Sequence, residues 1–127
     1  MTSYVFGVDF LNRLNDYKVM PTVALRGLVI FPGMTLNFDV GRQRSIDAIK
    51  AAMADTREVF LVAQKDVRDD EPEADQLFKM GTVAKISHIL RLPNSETIRI
   101  SVEGLYRAAL VDVLQTQPFL IADVKMR

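Results

Sequence analysis

The chain has 127 residues, a length that fits one domain burying roughly two-thirds of the surface its unfolded form exposes. Sixteen Lys+Arg balance sixteen Asp+Glu, so no net field drives the molecule onto nucleic acid or an anionic membrane. It contains no Cys, which removes disulfide frameworks and thiolate metal sites and agrees with a reducing, cytoplasmic setting.

Residues 1–18 read as an N-terminal extension. Tyr4, Val5, Phe6, Val8, Phe10, Leu11, Leu14 and Tyr17 are apolar, but no cationic lead precedes them and Asp9, Asn12 and Arg13 interrupt them. That is not a secretory signal, and no window approaches the ~18 apolar residues of a membrane span. Phe10, Leu11, Leu14 and Tyr17 fall at helical spacing and predict a short helix that covers the core, with self-association as its functional alternative.

The domain proper is expected over residues 19–127, organised around Leu25 to Arg42. A strand opens with Val23 and Leu25 and continues through the apolar run Leu28–Phe31, until Pro32-Gly33 forces a type II turn. Strict alternation follows, with Leu36, Phe38 and Val40 facing one way and Thr35, Asn37 and Asp39 the other. From Gln43 the period becomes helical to about Asp55. Ile46, Ile49 and Met53 form the apolar face, and Gln43, Arg44, Asp47 and Lys50 the open one. Val59–Ala63 does not alternate, which predicts a central strand buried on both faces.

The segment Lys65 to Lys79 carries Asp66, Asp69, Asp70, Glu71, Glu73 and Asp75 without EF-hand spacing, and reads as a solvated loop. The last third reads as a meander: Thr82–Leu92, a hairpin at Pro93-Asn94-Ser95-Glu96, Thr97–Glu103, a bend or bulge at Gly104, Leu105–Leu114, and Phe119–Met126. The fold class is therefore mainly β with one principal α-helix. An ending inside patterned structure reads as a piece excised from a longer polypeptide.

Catalytic chemistry is missing from the pattern. Gly27 and Gly33 do not have P-loop spacing, and no Gly-Lys-Ser/Thr follows either of them. No serine lies in a Gly-x-Ser-x-Gly elbow, and the single histidine, His88, sits mid-strand without partners for base or ligand work. The chain is expected to be non-catalytic, with no catalytic, cofactor-binding or metal-binding residues of its own. Lys85, Arg91, Arg99 and Arg107 form a basic stripe on successive strands, Lys85 and Arg91 sharing a face by their even separation. Aromatics for base stacking are not interleaved with it, which favours solvated strand residues over a nucleic-acid surface.

Seven blocks, in order, resemble the N-terminal domain of Lon proteases, the ATP-dependent serine proteases: Val23–Met34, Val40–Ile46, Leu61–Lys65, Asp70-Glu71-Pro72, Met80–Ile86, Leu90–Pro93 and Val102–Ala108. The chain departs from the usual pattern at Val23-Ala24-Leu25-Arg26, at Gly33 and in the wider turn Pro93–Glu96. The resemblance implies a PUA-like pseudobarrel of twisted antiparallel sheets. It also implies a homo-hexameric parent in protein quality control, with an AAA+ module using ATP and Mg and a Ser-Lys protease domain outside this chain. The domain's implied partners are unfolded or damaged protein substrates and the other subunits of the ring, with no membrane and no nucleic acid among them. Substrate contacts are expected at the turn Phe31, Pro32, Gly33 and Met34 and at Gln43, Arg44 and Asp47 of the helix, where exposed apolar surface meets tolerant polar groups. A stand-alone Lon-like substrate-binding protein and a PUA-like RNA-binding module are the alternatives.

Overall fold

The computed structural model describes residues 16–127. Its elements are β1 (Tyr17–Leu25), β2 (Thr35–Val40), α1 (Gln43–Met53), β3 (Glu58–Ala63), a 3₁₀ turn (Ala74–Gln76), β4 (Met80–Arg91), β5 (Ile98–Gln115) and β6 (Leu120–Met126). The strands run in the order β2-β5-β4-β3-β1-β6, and β5 also pairs with β6. The ring β5-β4-β3-β1-β6 thus closes on itself, with β2 attached beside the first half of β5. Phe10, Leu11 and Leu14 of the expected short helix lie outside the described residues, whereas Tyr17 opens β1.

The expected pseudobarrel differs from a purely antiparallel one at a single pairing among the described strands. β1 and β3 run parallel, because the chain returns to β3 through β2 and the crossover helix α1. Val59–Ala63 does lie in the middle of the sheet, between β1 and β4. Its residues feed two cores. Val59 and Leu61 join α1's Ile46, Ile49 and Ala52 and the inward residues Ile98, Ile100 and Val102 of β5. Phe60 and Val62 join Val83, Ala108, Leu120, Ala122 and Val124 on the other face. Phe60 is fully buried, worth about 2–3 kcal/mol of transfer free energy. The fully buried Ala48 and nearly buried Ala52 let α1 lie close against β1 and β3.

Two local expectations are corrected and a third is sharpened. The apolar run Leu28–Phe31 is not strand: β1 ends at Leu25 and the chain leaves the ladder, with the Ile30 carbonyl accepting instead from Thr82 Oγ1 at 2.7 Å. Gly104 marks the bulge of the expected bend or bulge: β5 runs on through it, but β4 pairs Val83 with Tyr106 and Ala84 with Gly104, which leaves Leu105 without a partner on β4. Gly104 is also a point of close approach: a Cβ there would fall 2.3 Å from the Phe31 carbonyl oxygen. Arg44, expected on the open face of α1, is 8% exposed. The loop after β3 folds back over the start of the helix, and the Arg44 guanidinium donates to the carbonyls of Pro72 (2.8 Å) and Thr116 (3.3 Å).

The basic stripe is broken up as well. A bulge at Ser87 shifts the β4 register, so Lys85 lies opposite Glu103 while Arg91 lies opposite Ile98, on the other face. Arg99 is bound to Asp39 at 2.7 and 3.3 Å.

Candidate functional site

At one end of the ring, the parallel strands β1 and β3 stop together and β4 begins. The connection from Arg26 to Met34 crosses this end. Met34 N–H closes the turn by donating to the Phe31 carbonyl at 3.1 Å, with Gly33 at φ +85°, the geometry anticipated from Pro32-Gly33. Two backbone bonds of 2.9 Å, Gly33 N–H to the Gly104 carbonyl and Gly104 N–H to the Met34 carbonyl, dock the turn on β5. Phe31 is thereby held at the surface, its ring 5.8 Å from the Arg107 guanidinium.

Between this crossing segment and the start of β4 lies an open groove of about 570 Å³. Leu25, Leu61 and Ala63 line it together with Val29, Phe31, Phe78 and Met80. Val29 is 55% exposed, Phe31 49%, Phe78 50% and Met80 36%, an unusual gathering of large apolar side chains in water. The polar lining is Thr82 and three cations, Lys65, Lys79 and Arg107, with no carboxylate. Among the described residues none of these cations forms an ion pair.

The seven residues expected to contact substrate do not converge. Phe31 lines the groove, and Pro32, Gly33 and Met34 are exposed in the adjoining turn. Gln43 and Asp47 bond to each other along α1 at 2.8 Å. Gln43 and Arg44 border a different depression, shared with Arg42, Asp70 and Glu71. There the arginines are consumed internally. Arg42 donates to Gln64 Oε1 (3.0 Å), to the Asp70 carbonyl (3.1 Å) and to the Ala24 carbonyl. Arg26 donates to the Asp70 carboxylate (2.7 Å), and Gln64 to the Asp66 and Asp69 carbonyls (both 2.7 Å). Burial pushes Arg42 below the ordinary guanidinium value, and the nearby Arg26 and Arg44 act in the same direction. The acidic segment after β3 is therefore strapped to the ends of β1 and α1 rather than freely solvated. Val29 was missed because the run Leu28–Phe31 read as core strand, and Phe78 and Met80 because Lys65–Lys79 read as a solvated loop before a strand from Thr82; the one available signal was a lone Phe78 at the edge of a polar stretch.

The model of the ATP-dependent protease La (LON) substrate-binding domain matches residues 19–126. The chain belongs to the Lon substrate-binding domain family. The Lon protease of Clostridium acetobutylicum is 42% identical over 109 residues, covering 86% of this chain and 14% of the relative. Lon protease 1 of Bacillus subtilis is 41% identical over the same length, with the same coverage. The chain thus spans about a seventh of the curated relatives it matches. Among solved structures, the N-terminal domain of the Mycobacterium avium complex Lon protease superposes with a TM-score of 0.65 at 20% identity, over 87% of this chain and 54% of that one. The Lon N-terminal domain protein of Xanthomonas campestris gives the same score at 14% identity, over 86% of this chain and 59% of that one. At such identities these likenesses speak for the Lon N-terminal fold. No described helix is long and apolar enough to cross a membrane.

Proposed function

We propose that this Lon substrate-binding domain, residues 19–127, captures unfolded or damaged polypeptide in its apolar groove. We further propose that it serves a cytoplasmic, homo-hexameric ATP-dependent serine protease whose cutting and unfolding modules lie outside the chain. The observation that carries the reading is the cluster Val29, Phe31, Phe78 and Met80, exposed although the domain has two well-filled cores in which to bury apolar groups. An unfolded segment offers the complementary surface, and Met80 and the turn at Pro32, Gly33 and Met34 supply contacts tolerant of varied side chains. The residues present do not fit ATP and Mg, since the chain has no P-loop; we place those groups in the AAA+ module of the parent.

The test is binding of a labelled, permanently unfolded polypeptide, followed by fluorescence anisotropy. Val29→Ser combined with Phe78→Ser removes two exposed anchors and weakens binding about tenfold or more, with the circular dichroism spectrum unchanged. Unchanged affinity in that variant would reject the groove as the site. Peptidase and ATPase assays on the chain alone read zero under this account.

A further inference from the structure

We infer that the groove selects apolar segments flanked by acidic residues. The inference rests on the reading of the groove as the polypeptide site and adds its specificity. The whole chain is neutral, with sixteen cations and sixteen anions, and among the described residues Lys18, Arg26, Arg68 and Arg99 sit in ion pairs with Glu58, Asp70, Asp66 and Asp39. The groove departs from that balance. Lys65, Lys79 and Arg107 all border it, all are exposed, no carboxylate lines it, and among the described residues none of the three is ion-paired.

An apolar floor bordered by three cations with no ion pair among the described residues is complementary to a large apolar side chain with carboxylates on either side. The floor removes the apolar group from water, and the rim attracts the anions without desolvating them fully. A segment flanked by lysine meets like charge on the same rim and is disfavoured, so the rim works by repulsion as well as attraction. Aliphatic Val29 and Met80 beside Phe31 and Phe78 make the floor suited to side chains of varied shape rather than to stacked bases.

The experiment uses the 127-residue chain and three labelled peptides with one Phe-Leu core and blocked ends, flanked by Asp, Ser or Lys. The Asp-flanked peptide should bind about tenfold tighter than the Ser-flanked one, as a few exposed charge pairs would give, and the Lys-flanked peptide most weakly. The preference should shrink as salt is added. Lys65→Glu combined with Lys79→Glu, both surface changes, should invert the order.

Equal binding of all three peptides would overturn the inference while leaving the groove as a polypeptide site. Failure of every peptide to bind, with its carboxyl end blocked or free, would remove both. Binding only when the peptide's carboxyl end is left free would overturn it in favour of a chain-end reader. Tighter binding of a short oligouridylate than of the Asp-flanked peptide would overturn it in favour of RNA.

Discussion

Two gatherings of basic side chains lie in this small domain, and they are spent in opposite ways. Arg26, Arg42 and Arg44 end on carbonyls and carboxyl groups of the domain itself, strapping the segment after β3 to α1 and β1. Lys65, Lys79 and Arg107 end on nothing charged among the described residues and face an apolar groove. A guanidinium that satisfies several backbone oxygens at once is a structural tie, because its planar fork matches several fixed acceptors. A lysine left at the rim of an apolar groove is available to something outside. The difference teaches that a count of basic residues does not find a binding surface; the accounting of their partners does.

Substitutions on the two sides should behave differently. Arg44→Ala is expected to have the largest effect on stability, about 2–4 kcal/mol, because it strips donors from the Pro72 and Thr116 carbonyls around a buried site. The midpoint of urea denaturation measures it, and a loss below about 0.5 kcal/mol would return Arg44 to the surface class of substitutions. Gly104→Ala comes next, at about 1–3 kcal/mol, since the added methyl meets a backbone oxygen that cannot give way without moving the turn. It should also weaken peptide binding, because the same turn carries Phe31 into the groove. Lys79→Ala lies on the other side of the comparison: stability within about 0.5 kcal/mol of the parent chain, with affinity for an acidic peptide reduced. An equal loss of stability for Lys79 and Arg44 would erase the distinction.

The smallest effect concerns the exposed Asp39–Arg99 pair. The hydrogen bond from Arg99 holds Asp39 below the ordinary carboxylate value of 3.8, so the unfolded chain takes up this proton first as pH falls. The pair's contribution is present above that value and is lost as pH drops through the lower folded value. Asp39→Asn should remove this acid-side slope, with a small loss of stability at neutral pH that vanishes in acid; an identical pH profile in the two proteins would show that the pair contributes nothing.

Much of the frame was legible from local pattern. The alternation Leu36, Phe38 and Val40, the unbroken run Val59–Ala63 and the change to helical period at Gln43 each report how one element faces its neighbours, which periodicity encodes. Pro32-Gly33 specified its turn through the φ values its residues accept. What local pattern did not encode were contacts between distant segments. Arg44 looks solvent-facing on a helical wheel, and only the return of Pro72 and Thr116 buries it. The Ser87 bulge is invisible to a period of two, yet it puts Lys85 and Arg91 on opposite faces. The groove draws on β1, the crossing segment, β3, both ends of the segment that follows it, the start of β4 and one residue of β5, so no single window could announce it.

The account turns on where an unfolded segment docks, and a backbone amide NMR titration of the chain with the Asp-flanked peptide addresses that most directly. The expected shifts cluster at Val29, Phe31, Phe78, Lys79, Met80 and Arg107. Shifts confined to α1 and to the Arg42–Asp70 strap would contradict it.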